Sequence, residues 1–408
     1  MPLLAIGQAV HATGYARVTR EILGHLDARF EIHQFGINYR GPHLHEPWEV
    51  HPNLTEGDPH GVTCLRRLLR EVRPRVLLIV YDTYAWPRVE RVLADAGRAF
   101  PRPRVVLYSP IEGTHVKPHR IAEVAAADRF VLFHDRARTS VEEAFSRLGF
   151  APPPLAVIPH GVDVSRFRPL HDRRAARRAL FPDRPELDEA FLVLNANRNT
   201  LRKRVDITLE AFARFAAGKP DAWLYLHMGM HDIGYPVREL AARLGIADRL
   251  LVTHDADAHP QVDDEHLNLI YNACDAGLNT STAEGWGLIA FEHAATGAAQ
   301  VLPRHSACEA LWDGAATLVE PRETGDHPMD IVFHEIVAAE DVAAALEPLY
   351  RDRGLLEEQG RRAYARAHQE AWRWPRIGQQ WNRLLSEVSR SAPTASRPSR
   401  RPRLRPET

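Results

Sequence analysis

Three features are scarce in this sequence: cysteine, long apolar runs and net charge. The three cysteines, Cys64, Cys274 and Cys308, form no Cys-x-x-Cys pair, which argues against a disulfide framework or a cysteine-based zinc site and fits a reducing cytosol. No stretch approaches the roughly 18 consecutive apolar residues of a membrane-spanning helix. The 52 basic and 53 acidic residues leave a formal net charge of −1, so bulk electrostatics gives no reason to expect a stable nucleic-acid partner.

The first residues, Met-Pro-Leu-Leu-Ala-Ile-Gly, carry no basic segment and too short an apolar run for a signal peptide, so we expect a cytoplasmic protein. Peripheral contact with a membrane stays open, and no feature of the sequence indicates the oligomeric state. With 408 residues, 45% of them hydrophobic and 26% charged, the chain is long enough for two domains with sizeable cores.

Short apolar runs alternate with amphipathic segments, and this alternation predicts an α/β fold with parallel sheets covered on both faces. Strands are predicted at 3–7, 30–37, 76–81, 105–108, 129–133, 155–158, 191–195, 223–228, 249–253, 274–279 and 299–302. Helices are predicted at 16–26, 62–72, 86–100, 137–148, 205–217, 238–244, 266–273, 288–297, 342–350, 355–368 and 377–388. The basic stretch 166–184 is expected on the surface, and 38–59 is expected to be an irregular loop.

Ligands of such sheets lie beyond the carboxyl ends of the strands. Five polar residues of the first half fall at predicted strand ends: Asp82, Glu112, His115, His134 and Asp135. Each is interpreted first as a cap, a loop hydrogen bond or a substrate contact. The loop at 38–60 holds His43, His45, His51 and His60, but their spacing matches no compact metal site, and no metal ligand set is predicted.

The segment 280–292, Thr-Ser-Thr-Ala-Glu-Gly-Trp-Gly-Leu-Ile-Ala-Phe-Glu, holds the strongest chemical motif. Gly285 and Gly287 mark a sharp turn from a strand into the helix predicted at 288–297. Backbone amides left bare at such a turn, together with the helix dipole, form an anion site. We therefore expect this turn to bind a phosphate group.

Two carboxylates flank that turn. Glu284 precedes it and Glu292 lies eight residues further on. At about 100° per residue this spacing places the two side chains roughly 80° apart around the helix axis. The two carboxylates therefore do not share a helix face, and we expect them to have different roles. The alternative interpretation is a capped helix with a solvated glutamate at each end.

Two cations follow the strand at 191–195. Arg198 can hold two phosphate oxygens with its planar fork, and Lys203 adds a point charge. A basic helix start opposes the helix dipole and is unfavourable without an anion, so the pair predicts a diphosphate site. The adjacent Arg202 and Arg204 are interpreted as solvated.

These motifs resemble those of the retaining family-4 glycosyltransferases of GT-B fold. In that family the Arg-x(4)-Lys motif, here Arg198 and Lys203, binds the donor diphosphate. The first glutamate of the Glu-x(7)-Glu signature, here Glu284, faces the donor sugar, and the second, here Glu292, binds the ribose. The resemblance further implies donor contacts from the turn at Gly285, Trp286, Gly287 and Leu288, and from Gly14 in the first βα loop.

The resemblance also implies a domain plan of two Rossmann-like domains facing a cleft. The turn Ile-Pro-His-Gly-Val-Asp at 158–163 is similar to the linker of the family, with His160 where asparagine is usual. We therefore expect an acceptor domain at 1–165, a nucleotide-sugar domain at 166–371 and a tryptophan-containing helix at about 372–388 that crosses back onto the first domain. Residues 389–408, rich in proline, serine and arginine, predict a disordered basic tail.

The implied activity is retaining transfer of a sugar from a UDP- or GDP-sugar to a hydroxyl acceptor, with no metal and no other cofactor. Arg198, Lys203 and Glu284 are the catalytic candidates. The sequence departs from the family at the end of the strand 105–108, where a histidine is common, and Glu112 or His115 is expected to replace it. Two alternatives stay open: a GT-B sugar-nucleotide 2-epimerase, and a non-catalytic binding protein on a decayed transferase scaffold.

Overall fold

The structure is a computed structural model that describes residues 1–9, 13–41, 46–54, 58, 60–96, 101–327 and 329–391. The chain divides into two compact units. The first comprises Met1–Ile111, His115–Gly161 and the described residues from Trp374 onward; the second comprises Glu112–Thr114 and Val162–Arg373. Within the described ranges, no helix is both long enough and apolar enough to cross a bilayer.

The first unit contains a seven-stranded parallel sheet in the order β3-β2-β1-β4-β5-β6-β7. Its strands are β1 Pro2–Gln8, β2 Glu31–Ile37, β3 Glu49–Pro52, β4 Val76–Val80, β5 Arg104–Tyr108, β6 Arg129–Leu132 and β7 Leu155–Val157. Its helices up to this point in the chain are α1 Gly14–Gly24, α2 Val62–Val72, α3 Trp86–Ala96, α4 Pro118–Ile121 and α5 Asp135–Leu148. The central strand β4, Val-Leu-Leu-Ile-Val, is buried along its whole length, as expected for a parallel strand covered on both faces.

Strand β3 was not predicted. The sequence predicted an irregular loop over 38–59, but Glu49–Pro52 pairs with β2, with His33 opposite Glu49 and Phe35 opposite His51. The segment Glu-Val-His-Pro is polar and short, so it lacks the apolar alternation by which strands are recognised. Its main-chain pairing at the sheet edge therefore leaves no signal in the sequence.

The second unit contains a six-stranded parallel sheet in the order β10-β9-β8-β11-β12-β13 and a two-stranded antiparallel hairpin, β14-β15. The strands are β8 Phe191–Asn195, β9 Ala222–Leu226, β10 Leu250–Val252, β11 Ala276–Leu278, β12 Ala299–Pro303, β13 Thr317–Val319, β14 Pro321–Gly325 and β15 His334–Val337. The helices are α6 Arg173–Leu180, α7 Val205–Ala216, α8 Val237–Arg243, α9 Asp264–Ala273, α10 Leu288–Ala294, α11 Ser306–Trp312, α12 Ala339–Arg351 and α13 Arg353–Ala367. The strand order reverses between β8 and β11, and doubly wound sheets bind ligands beyond the carboxyl ends of the strands at such a point.

Most residues of the basic stretch 166–184 are exposed, as expected, but helix α6 buries one of its arginines. Arg177 is only 3% exposed, and its Nη2 lies 2.7 Å from the carboxylate of Asp275. Its other donors reach the main-chain oxygens of Ala273, Leu187, Asp188 and Ala190. Because every polar group of this buried pair is bonded, one arginine of a basic stretch anchors α6 to the starts of two sheet strands.

The last helix, α14 Trp374–Arg390, belongs to the first unit. Its Trp381 ring lies edge-on to Tyr108 at a centroid distance of 4.8 Å, and the Tyr108 hydroxyl is 2.7 Å from Nδ1 of His160. A Cβ at Gly161 would lie 2.6 Å from the Trp374 ring, so the close approach of chain and ring requires glycine. From residue 392, the predicted basic tail lies outside the described residues.

Candidate active site

The loops after β8 and β11 bring together the principal charged residues of the second unit. Nζ of Lys203 lies 2.6 Å from Oε1 of Glu284, and only 12% and 8% of the two side chains are exposed. Lys203 precedes α7 and Glu284 follows β11, so residues 81 positions apart meet where the strand order reverses. A buried ion pair of this kind is stable only when both charges have further polar partners.

Glu284 has those partners. Oε1 also accepts a hydrogen bond of 3.2 Å from Nδ2 of Asn279, and Oε2 accepts one of 3.3 Å from Nη1 of Arg202. Burial alone would raise the pKa of Glu284, but the charges of Lys203 and Arg202 lower that pKa to about 2. The side chain is therefore a carboxylate throughout the neutral range and can accept hydrogen bonds from hydroxyl groups.

Arg202 is the residue that the sequence reasoning missed. It was interpreted as solvated, yet its Nη2 lies 3.0 Å from Oε1 of Glu112, and its Nη1 also donates to the main-chain oxygen of Ala283. It thus bridges Glu112 and Glu284. Nothing in the local sequence distinguishes Arg202 from Arg204, which pairs with Asp206 two residues away.

The two alternative residues at the end of β5 separate. Glu112 belongs to the second unit, where its main-chain oxygen accepts a 2.6 Å hydrogen bond from the amide of Glu284. His115 belongs to the first unit and is exposed. The structure therefore adds Glu112 to the cluster around Glu284.

Arg198 pairs with a carboxylate of its own. Its Nε and Nη2 donate to the two oxygens of Asp232 at 2.7 and 3.0 Å, which raises the pKa of the guanidinium. Half of the Arg198 side chain, 51%, is exposed. The two cations predicted to hold a diphosphate thus have different partners: Asp232 for Arg198 and Glu284 for Lys203.

The predicted glycine turn leads into α10, which ends at Ala294, three residues before the predicted end. Gly287 is the N-cap with φ of +85°, a conformation that strains any residue with a side chain. Gly285 and Trp286 are buried, and the Trp286 ring stacks on Phe291 at 5.1 Å. Leu288, the first helical residue, is half-buried.

Glu292 has surroundings different from those of Glu284. It lies on α10, is 6% exposed, and accepts a 2.9 Å hydrogen bond from the hydroxyl of Tyr271 on α9. The structure therefore separates the two carboxylates of the motif, one against cations and one against a phenol.

A further layer lies behind Glu284. Ser306 begins α11 with φ of +42°, and its hydroxyl lies 3.0 Å from the main-chain oxygen of Glu284. Its amide donates to the hydroxyl of Thr114 at 3.0 Å. Nε2 of His305 is 2.8 Å from the oxygen of Ser281. A non-glycine residue at positive φ costs about 1–3 kcal/mol and is concentrated at functional sites.

The remaining predicted residues lie in the first unit. Gly14 is the first residue of α1, after the N-cap Thr13. His134 caps α5, where its side chain accepts from the amide of Ala137 at 3.2 Å, and Asp82 accepts from the hydroxyl of Tyr15. Asp135 pairs with Arg138. His43 and His45 lie outside the described residues.

No family model matches the chain, but curated relatives do. A D-inositol 3-phosphate glycosyltransferase of Geodermatophilus obscurus is 32% identical over 312 residues, which are 73% of this chain and 58% of the relative. D-inositol 3-phosphate glycosyltransferase 2 of Catenulispora acidiphila is 31% identical over 228 residues, 52% of this chain and 50% of the relative. The chain spans about half the length of the curated relatives it matches.

Solved structures match nearly the whole chain. Sucrose-phosphate synthase of Thermosynechococcus elongatus has a TM-score of 0.70 at 17% identity and covers 95% of this chain and 98% of its own. The fold is GT-B. HepE of Anabaena, solved with UDP-glucose, has a TM-score of 0.70 at 17% identity, with 95% and 100% covered. An Escherichia coli trehalose-6-phosphate protein, solved with UDP-2-fluoro glucose, has a TM-score of 0.66 at 13% identity, with 96% and 100% covered. At these identities the likeness shows the fold, which agrees with the predicted α/β class of two Rossmann-like units.

Proposed function

We propose that the protein is a glycosyltransferase that moves a sugar from a nucleoside-diphosphate donor to a hydroxyl acceptor with retention of configuration. The observation that carries the proposal is the buried Lys203–Glu284 pair with Arg202, at the point where the strand order of the second sheet reverses. The names of the relatives, which are glycosyltransferases, support it. So do two structural neighbours, which were solved with UDP-glucose and with UDP-2-fluoro glucose.

The proposed roles follow from charge and burial. Lys203 and Arg198 hold the diphosphate and stabilise the charge that develops on it as it leaves. The ionised Glu284 accepts hydrogen bonds from hydroxyl groups of the donor sugar, and Glu292, beside the Tyr271 hydroxyl, does the same for the ribose. Burial lowers the pKa of Lys203, and the neighbouring charge of Glu284 opposes that shift.

Arg198 is proposed to exchange partners when the donor binds. Asp232 accepts hydrogen bonds from Nε and Nη2 of Arg198, and a phosphate offers the same two-oxygen geometry with more negative charge. A half-exposed arginine can rotate without opening a buried cavity. Asp232 and the diphosphate are therefore proposed to compete for the guanidinium of Arg198.

The reaction is proposed to need no metal, because these two cations can balance the charge of the leaving group. The bond between the anomeric carbon and the diphosphate oxygen breaks, and the bond to the acceptor oxygen forms on the same face. The acceptor proton passes to the departing phosphate oxygen, so all atoms balance without a side-chain nucleophile. The relatives are named D-inositol 3-phosphate glycosyltransferases, so D-inositol 3-phosphate is the first acceptor to test.

A thermal-shift panel of UDP, GDP, UDP-glucose and GDP-mannose on the full chain tests donor binding. A ligand at about 100 times its dissociation constant stabilises the folded state by about 2.7 kcal/mol. We expect a shift with one nucleotide class that Arg198→Ala reduces and Arg238→Ala leaves intact. Arg238 is a matched control because it is similarly exposed, at 48%, and also pairs with loop carboxylates of the second unit, Asp255 and Asp257.

The outcomes separate the alternatives. No shift with any nucleotide contradicts the proposal and favours a non-catalytic scaffold. A shift accompanied by release of UDP without any acceptor, and by a new free sugar, favours an epimerase. Nucleotide binding together with acceptor-dependent release supports the transferase.

A further inference from the structure

We propose that the edge of the first unit's sheet binds a divalent transition-metal ion, with zinc the best match, through His33 of β2 and Glu49 and His51 of β3. No metal site was predicted, because the histidines of the loop 38–60 show no compact spacing. His33 lies outside that loop. The pairing of β2 with β3 is what brings it to His51.

The strand register places the three side chains together. His33 lies opposite Glu49, and His51 follows two residues later on the same face of β3. Nδ1 of His33 is 3.3 Å from Nε2 of His51 and 3.4 Å from Oε2 of Glu49. The candidate ligand atoms of all three residues lie within 4.8 Å of one another.

These separations fit an ion held between the side chains. Zinc bonds of about 2.0–2.2 Å in a tetrahedral site place neighbouring ligand atoms roughly 3.3–3.5 Å apart. Two imidazoles and one carboxylate are ligands typical of zinc and of other first-row divalent ions, and not of calcium or magnesium. Since 64% of the Glu49 side chain is exposed, water can complete the coordination.

A second carboxylate lies near His33. Glu31, two residues earlier on the same face of β2, has Oε1 3.6 Å from Nε2 of His33. At this distance the contact is electrostatic and not a hydrogen bond, and the added negative charge favours a cation at the cluster.

Two residues of helix α2 act on His51 with opposite charges. Arg67 of α2 acts electrostatically on His51, as does Glu71, but the two are paired with each other at 3.5 Å. The ion would join β3, an edge strand of four residues, to β2. Its proposed role is to stabilise the pairing of β3 with β2 at the sheet edge. This role is separate from the transfer chemistry proposed for the second unit.

The experiment is a calorimetric titration of Zn²⁺ into the tag-free chain of 408 residues after removal of metals with a chelator, with Co²⁺ absorption as a second readout. We expect one ion per chain, and a visible Co²⁺ absorption band with the intensity typical of tetrahedral coordination. Glu49→Gln and His51→Gln should each weaken binding at least tenfold, whereas Glu31→Gln, which removes a nearby charge and no ligand, should weaken it by less than tenfold. His60→Gln, an exposed histidine close in sequence, should bind as the wild type does.

The competing account is that His33 and His51 share a hydrogen bond and bind no metal. Absence of stoichiometric Zn²⁺ binding in the wild type, or equal binding by the wild type and Glu49→Gln, would overturn the proposal. Glu49 is exposed, so this variant should fold, and far-UV circular dichroism verifies that it does. The readout is ion binding, so its failure and the failure of the transferase proposal are distinguishable.

Discussion

The coupling between Lys203 and Glu284 can be measured by a double-mutant cycle of Lys203→Met and Glu284→Gln. The fall of the Glu284 pKa from 4.5 to about 2 corresponds to about 3 kcal/mol of interaction favouring the carboxylate. Arg202 supplies part of it, so we expect a coupling of about 2 kcal/mol with Lys203. Each single variant should destabilise the second unit by about 3 kcal/mol, because each removes one charge of a buried ion pair and leaves the other buried without it.

The assay is urea unfolding at pH 7 of the wild type, the two single variants and the double variant. The control cycle is Lys219→Met with Glu347→Gln, a pair 3.0 Å apart in the same unit whose side chains are 15% and 27% exposed. That more exposed pair should couple by less than about 1 kcal/mol. If the Lys203–Glu284 coupling is no larger than that of the control, the argument that burial makes this pair strong is refuted.

Three further variants test separate parts of the structure. Arg177→Met should lower the free energy of unfolding in urea by about 3–5 kcal/mol, because it takes a buried partner from the Asp275 carboxylate. The control is Arg178→Met, which should cost less than about 1 kcal/mol because the Arg178 side chain is 63% exposed. Equal losses in the two variants would contradict the anchoring role of Arg177. Burial, with a contribution from His134, lowers the pKa of His160 to about 3. As the pH falls below about 6.5, the imidazole is protonated in the unfolded state before it is protonated in the folded state. The free energy of unfolding therefore falls by up to about 1.4 kcal/mol per pH unit from pH 6.5 downward. Unfolding curves from pH 7 to 4 should be flatter for His160→Asn, and unchanged curves would contradict a neutral buried histidine. Gly287→Ala should lower stability by about 1 kcal/mol because of its φ of +85°, and a neutral result would mean that the turn relaxes.

The repeating core of the fold could be predicted from the sequence because its signals are local. Strand Phe191–Asn195 and helix Val62–Val72 have the predicted bounds. A continuous apolar run indicates a buried strand, and an apolar stripe at helical spacing indicates a helix, so both can be recognised from the local sequence. The hairpin β14-β15 and the helix α11 were missed. Half-exposed strands such as Pro-Arg-Glu-Thr-Gly and a helix of seven residues are held by their surroundings and have weak patterns of their own.

The candidate site divides in the same way. Lys203 and Glu284 stand in recognisable local patterns, so each could be named from the sequence. The role of Arg202 could not, because it depends on Glu112, 90 positions away, and on Glu284, 82 positions away. The cluster of His33 with His51 is hidden for the same reason, since it depends on a strand pairing that the local sequence does not indicate.

The most direct test of the proposed activity is UDP release from UDP-glucose, measured with and without D-inositol 3-phosphate. The wild type and Lys219→Gln are compared with Lys203→Gln, and the anomeric configuration of the product is read by NMR. The account predicts acceptor-dependent release, retention at the anomeric carbon, the same rate in Lys219→Gln and a loss of at least 100-fold in Lys203→Gln. Equal rates in the two lysine variants, or an inverted product, would contradict it.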